Sequence, residues 1–159
     1  MMKNSRRKMR IVFCTVLLLG MFFTNVTAKE GEIQETLQEI IYYEDGTYAE
    51  ITGTEVDTGI MVAANSSSKV YTKSYTRKTN SGTKLWRYWL KGSFTYNGTT
   101  SKATNVTDGY VLYSTNWKLT SKNCAKSGRK VTGYGIFTNG TKTRQTDLAI
   151  SCNKDGEIS

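Results

Sequence analysis

The most regular alternation in the chain runs from Lys84 to Tyr96. Trp86, Tyr88, Leu90, Phe94 and Tyr96 fall on one parity, and Arg87, Lys91, Ser93 and Thr95 on the other, with Trp89 the exception among them. Period two with one apolar face predicts a strand lying half-buried on a core. Gly92 interrupts the apolar parity and reads as a bulge or a close backbone approach, not as a strand end. Asn97-Gly98 follows directly, a strong hairpin signal, so residues 99–106 are expected to return beside the strand. The same logic repeats at residues 132–138, Asn139-Gly140 and residues 141–152, where Thr146, Leu148, Ile150 and Cys152 share a face. Between the hairpins, residues 110–113 and 117–119 supply one or two more strands. Asp108-Gly109 and Asp155-Gly156 read as turns, and residues 126–129 turn the chain into the second hairpin. Upstream, residues 40–43, Asp45-Gly46 and residues 48–51 make a third hairpin. Residues 70–76 alternate as well, after a loop at residues 65–68. The expected fold is all-β: a single antiparallel β-sandwich of about seven to nine short strands.

The N-terminus has a different pattern. Lys3, Arg6, Arg7, Lys8 and Arg10 precede an unbroken apolar run at residues 11–23, and Val26-Thr27-Ala28 ends in small residues. That is the layout of a secretory signal peptide over residues 1–28, cleaved near Ala28. The run is shorter than the roughly 20 residues a membrane span needs. An uncleaved anchor is the alternative. Lipidation at Cys14 is disfavoured, because the thiol sits early in the apolar run behind Phe13. The protein is therefore expected to be secreted, extracellular or wall-associated, with no membrane span in its mature form.

Charge divides what remains. Residues 29–57 carry nine acids against Lys29 alone, whereas residues 58–159 carry sixteen Lys and Arg against Asp108, Asp147, Asp155 and Glu157. We therefore separate an acidic N-terminal segment, residues 29–67, from a basic β domain, residues 68–159. The segment could fold back on the body, mask it as a pro-segment, or act as a spacer. Residues 30–41 allow at most a short, marginal helix. A basic secreted body suits an anionic partner such as a wall polymer or acidic polysaccharide; the plainer reading is a solvated β surface.

The chain contains no histidine. This removes the commonest general base, His-activated nucleophiles and His-based zinc sites. Acids are too scarce in the body for a ready pair of carboxylates. No catalytic residue, metal ligand or cofactor is assigned, and an enzyme would have to draw on Asp147 or Glu50. Cys124 and Cys152 form an even pair in a secreted chain, read as one disulfide or else as two buried thiols. Trp89, on the face that carries Arg87 and Lys91, suggests a stacking platform for sugar rings flanked by cations, unless another segment covers it. Tyr71, Lys73, Tyr75 and Arg77 share a parity and form a second candidate face. Trp86 and Trp117 read as core. Nucleic acid is a poor partner for a secreted chain. The sequons at Asn65, Asn97, Asn105 and Asn139 carry little weight in so Thr-rich a sequence.

Leu85-Trp86, the octet at residues 91–98, Asn116-Trp117-Lys118, Ser127-Gly128 and the pattern Leu148-x-x-Ser151-Cys152-Asn153-x-x-Gly156 resemble a group of small secreted β-sandwich proteins. These come from Gram-positive, largely gut-dwelling bacteria and have no assigned function. The hairpin at residues 42–48 is similar to theirs too. The resemblance runs from about residue 40 to the end and rests on packing and turn residues, so it implies fold and secretion but no chemistry. A weaker likeness to lactococcin-type bacteriocins implies a toxin in which residues 29–67 are a pro-segment. The two readings differ in the size of the secreted product. An intact mass corresponding to about 130 residues in culture supernatant is the outcome expected for a binding protein, and about 90 residues for a processed toxin.

Overall fold

The computed structural model describes residues 9–11, 35–57 and 66–159; the expected leader other than residues 9–11, the expected cleavage near Ala28, residues 29–34 and the sequon at Asn65 lie outside them. All regular structure among the described residues is β. The strands are β1 (Met9–Ile11), β2 (Thr36–Tyr42), β3 (Tyr48–Asp57), β4 (Ser67–Lys78), β5 (Lys84–Tyr96), β6 (Ser101–Leu112), β7 (Lys118–Ser127), β8 (Lys130–Asn139) and β9 (Lys142–Ser151). They form two antiparallel meanders, β1 through β6 in one sheet and β7-β8-β9 in the other. β1 is a three-residue strand on the outer edge of β2.

The alternation in β5 works as expected. Trp86, Tyr88, Leu90 and Phe94 are fully buried, and they meet Val131, Phe137, Leu148 and Ile150 of the smaller sheet in one shared core. Trp86 lies 4.3 Å from Trp117 and 5.0 Å from Phe137 between ring centroids, so both tryptophans read as core are core. Each such side chain contributes roughly 2–3 kcal/mol by leaving water. Gly92 is a close approach: a Cβ there would meet Phe94 at 2.7 Å and Val131 at 2.9 Å. The register shift in this strand falls beside it, between Ser93 and Phe94.

Several turn expectations hold with adjusted lengths. Asn139-Gly140 starts a two-residue connection, since Asn139 still pairs with Lys142. Asn97-Gly98 instead opens a longer loop, in which Asn97 Oδ1 accepts the amides of Thr99 (3.0 Å) and Thr100 (2.8 Å). Asp108-Gly109 is not a turn at all. Both residues lie inside β6, paired with Leu90 and Trp89, and this joins two expected short strands into one of twelve residues. The strands are accordingly longer than foreseen; thirteen residues carry β5 over about 40 Å. The segment that allowed a marginal helix contributes strand β2.

The acidic segment is part of the large sheet. β3 pairs with β4 along its whole length, from Tyr48↔Lys78 to Asp57↔Lys69. Its inward residues Ala49 (0% exposed) and Ile51 (5%) belong to the core. Its carboxylates meet the body's cations: Glu35 with Arg87, Asp45 with Arg77 and Arg144, Glu50 with Lys78, and Glu55 with Lys69. Fold-back by charge complementarity, one of the three possibilities for this segment, describes the structure.

One of these pairs is buried. Arg77, 2% exposed, donates from Nη2 to both oxygens of Asp45 (3.2 and 3.3 Å) and from Nη1 to the Tyr75 hydroxyl (3.1 Å). Its guanidinium carbon sits 3.4 Å from the centroid of the Tyr43 ring, a stacked cation–π contact. Arg144 of β9 reaches the same carboxylate at 2.7 Å, linking the two sheets. Partial burial works to raise the Asp45 pKa, but hydrogen bonds from Thr47 and Arg144 and the Arg77 charge outweigh it and hold the carboxyl well below the ordinary range.

Two predictions follow from this arrangement. Because the folded pKa of Asp45 is depressed, its contribution to stability is present above pH ~4 and is lost as the pH falls below that value. Asp45→Asn should cost roughly 3 kcal/mol at neutral pH, by leaving Arg77 buried without a counter-charge, and should flatten the acid limb of urea-melt stability against pH. A chain beginning at residue 68 lacks β2 and β3, and it should show neither the dispersed NMR spectrum nor the cooperative melt of a chain beginning at residue 29.

Candidate binding face

The large sheet has two faces of opposite character. On β5 the outward parity is Arg87, Trp89, Lys91, Ser93 and Thr95. The strand register sets Thr76, Ser74 and Thr72 of β4 on one side of the first three, and Val111, Gly109 and Thr107 of β6 on the other. Trp89 thus stands between Ser74 and Gly109, and of the neighbouring hydroxyl residues Ser74 (2% exposed) and Thr76 (8%) are buried, whereas Thr72 is half-buried and Thr107 exposed. Its indole lies across Gly109, where a Cβ would come within 2.5 Å of Cε2 and 2.9 Å of Nε1. Any side chain at this position would displace the ring, so a glycine in mid-strand is what allows the indole to pack against the backbone.

The cations on either side of Trp89 are in different states. Arg87 is half-buried; it donates to Ser74 Oγ at 2.8 Å and pairs with Glu35 at the start of the described N-terminal segment. Lys91 is exposed and has no ion pair among the described residues. The face therefore already holds one carboxylate, supplied by its own chain, against a guanidinium next to an indole. Arg87 Nε is buried without a protein partner.

The second candidate face lies elsewhere than an open surface. Tyr71, Lys73, Tyr75 and Arg77 pair with Gly92, Leu90, Tyr88 and Trp86, so they point to the interior. Tyr71, Tyr75 and Arg77 are 7%, 6% and 2% exposed. Tyr71 covers Gly53 and its hydroxyl accepts from Gln38 at 2.6 Å; Lys73 is half-buried and reaches the Ala149 carbonyl at 3.4 Å. Burial comes first among the causes that raise the Tyr75 pKa, keeping its hydroxyl protonated to share a 2.8 Å hydrogen bond with Tyr43. The small hydroxyl residues on the other parity of β4 lie on the opposite face, where Ser74 (2% exposed) and Thr76 (8%) are covered and Thr72 is half-buried.

The expected disulfide is absent. Cys124 and Cys152 are free thiols, one half-buried and one buried. Cys124 pairs with Gly133 and Gly133 with Leu148, which puts Cys152 two strands and four residues away. That separation is on the order of 15 Å, far beyond the ~7 Å between Cα atoms that a bridge tolerates. Burial, then the Asp108 carboxylate, pushes the Cys124 thiol up and makes it a poor nucleophile.

Two groups escaped the sequence reading. One is the Asp45–Arg77–Arg144 cluster, which joins residues up to 99 positions apart. The other is Asp108, which accepts from the buried Tyr88 hydroxyl at 2.9 Å and pairs with Lys122 across the seam between the sheets. Among the described residues no three His, Cys, Asp or Glu side chains cluster as metal ligands, and no helix is long and apolar enough to cross a membrane. No protein family, curated protein or solved structure matches the chain.

Gly109→Val should displace the Trp89 indole and cost about 1–3 kcal/mol, read by urea denaturation, with increased acrylamide quenching of tryptophan fluorescence. Intact mass after alkylation of unfolded, unreduced protein should show both Cys124 and Cys152 modified, and the folded protein should react slowly.

Proposed function

We propose that this chain is a secreted, non-enzymatic β-sandwich binding protein. It contacts an anionic cell-envelope polymer or polysaccharide through the outward face of its large sheet. The observation that carries this reading is the half-buried Trp89 indole packed against Gly109 between Arg87 and Lys91, with the Thr72 and Thr107 hydroxyls beside Lys91. A flat ring stacks on the apolar face of a sugar, neighbouring hydroxyls and cations take its polar and acidic groups, and neither role needs a catalytic residue. The Glu35–Arg87 pair supports the same chemistry: a carboxylate on the polymer would take the place that Glu35 holds. Tyr71, Lys73, Tyr75 and Arg77 have no part in this reading, since they build the interior. The toxin alternative, with residues 29–67 removed, would strip β2 and β3 from the sheet and unpair Arg77, which favours the full-length form.

Purified residues 29–159 should pellet with Gram-positive cell walls at low salt, and pelleting should fall steeply at high salt or when the anionic polymers are removed. Trp89→Ala should weaken it at least tenfold, measured at a temperature where the melt shows the variant still folded. Pelleting that ignores salt and polymer content, or that survives Trp89→Ala, would refute the assignment of this face.

A further inference from the structure

The smaller sheet carries a concavity of about 440 Å³ on β7, β8 and β9. Strand register resolves its walls. Asn123, Tyr134 and Asp147 stand opposite one another in one row, and Ala125, Thr132 and Ala149 in the next. Between them, Cys124, Gly133 and Leu148 turn their side-chain positions to the core and give only backbone to the floor. The orientation is fixed by Gly133, whose inner side is occupied: a Cβ there would lie 2.5 Å from the Tyr88 hydroxyl and 2.9 Å from Leu90.

The same contact recurs two residues on. Gly133 and Gly135 flank Tyr134 on the central strand, and a Cβ on Gly135 would meet Phe137 at 2.9 Å and Tyr88 at 3.0 Å. With no side chain at either glycine, Tyr88 packs directly against the β8 backbone beneath the concavity. Small residues at 125, 132 and 149 leave that recess unfilled.

We infer that this recess is a second binding site, for an uncharged sugar ring. Three groups converge on it with complementary roles. The Tyr134 ring offers an apolar face. Asp147 and Asn123, on either side at cross-strand distances, offer an acceptor and a donor–acceptor pair for vicinal hydroxyls. Gln145 donates to Asp147 Oδ1 at 2.8 Å and so orients the carboxylate. No cation lines the recess, and the carboxylate repels acidic sugars, so the site selects neutral ones, in contrast to the Trp89 face. Its volume lies within the range of small-molecule sites. The inference stands on the smaller sheet alone and does not depend on the reading of the Trp89 face.

The test is a titration of ¹⁵N-labelled residues 29–159 with glucose, galactose, mannose and N-acetylglucosamine, and with glucuronate as the acidic probe. At least one neutral sugar should give saturable shifts with millimolar affinity, centred on Tyr134, Thr132 and Ala149. Asp147→Ala should weaken binding at least tenfold, Ala149→Phe should abolish it by filling the recess, and Trp89→Ala should leave it unchanged. Asp147 is exposed and Ala149 half-buried on the outer parity, so the melts of these variants check that the fold is kept. Shifts that stay linear to roughly 100 mM for all four neutral sugars would overturn the site. So would equal binding of glucuronate, or affinity unaffected by Asp147→Ala.

Discussion

The buried Arg77 guanidinium constrains more of this structure than any other single group. A charge taken out of water costs several kcal/mol unless it is met by an opposite charge and by hydrogen bonds. Here Asp45 from the β2–β3 turn, the Tyr75 hydroxyl from β4 and the Tyr43 ring supply those partners, and Arg144 from the second sheet shares the carboxylate. One side chain therefore ties the N-terminal hairpin to the middle of the large sheet, and that sheet to the smaller one. The acidic segment cannot be an appendage under this constraint, because the core of the basic body is satisfied only when the segment is in place. The opposed charges of the two halves are resolved within the molecule, and the basic surface that remains is smaller than the composition suggests.

Glycine shapes both faces proposed for binding. On the large sheet, Gly109 lies under an indole and lets it approach the backbone. On the small sheet, Gly133 and Gly135 lie over Tyr88 and let it pack against the central strand. The device is the same in both places: a missing Cβ in mid-strand allows an aromatic ring to come close to backbone. In one case the ring is outside and becomes a platform. In the other it is inside, beneath the proposed recess. The two faces also differ in charge, with cations beside Trp89 and a carboxylate beside Tyr134, so one molecule presents chemically distinct surfaces on opposite sides of its core.

The sequence reading assumed that aspartate before glycine marks a turn and that alternating Tyr and Lys mark a surface. Each rule has a physical basis; the first holds at Asp45-Gly46 and Asp155-Gly156 but is overridden by packing at Asp108-Gly109, and the second is overridden along β4. Asp108 and Gly109 continue a strand because Tyr88 hydrogen-bonds the carboxylate and Trp89 needs the bare backbone. Tyr71, Lys73, Tyr75 and Arg77 turn inward because their aliphatic and aromatic stems fill a wide space between sheets that Thr72, Ser74 and Thr76 are too short to fill. The cysteine pair, even in number, ended on strands too far apart to bridge.

The sequence by itself determined the all-β class, the hairpins around Asp45-Gly46 and Asn139-Gly140, the buried parity of β5 and the core roles of Trp86 and Trp117. These follow from period-two patterning and turn chemistry, which act over a few residues and need no knowledge of partners. Only the tertiary structure decided which parity of β4 faces inward, that the acidic segment supplies two strands of the sheet, and that Trp89 rests on Gly109. It alone assembled Asn123, Tyr134 and Asp147 into one row. These features depend on register between strands and on which charge meets which across the fold, and pairing at that distance is set by the packing of the whole core.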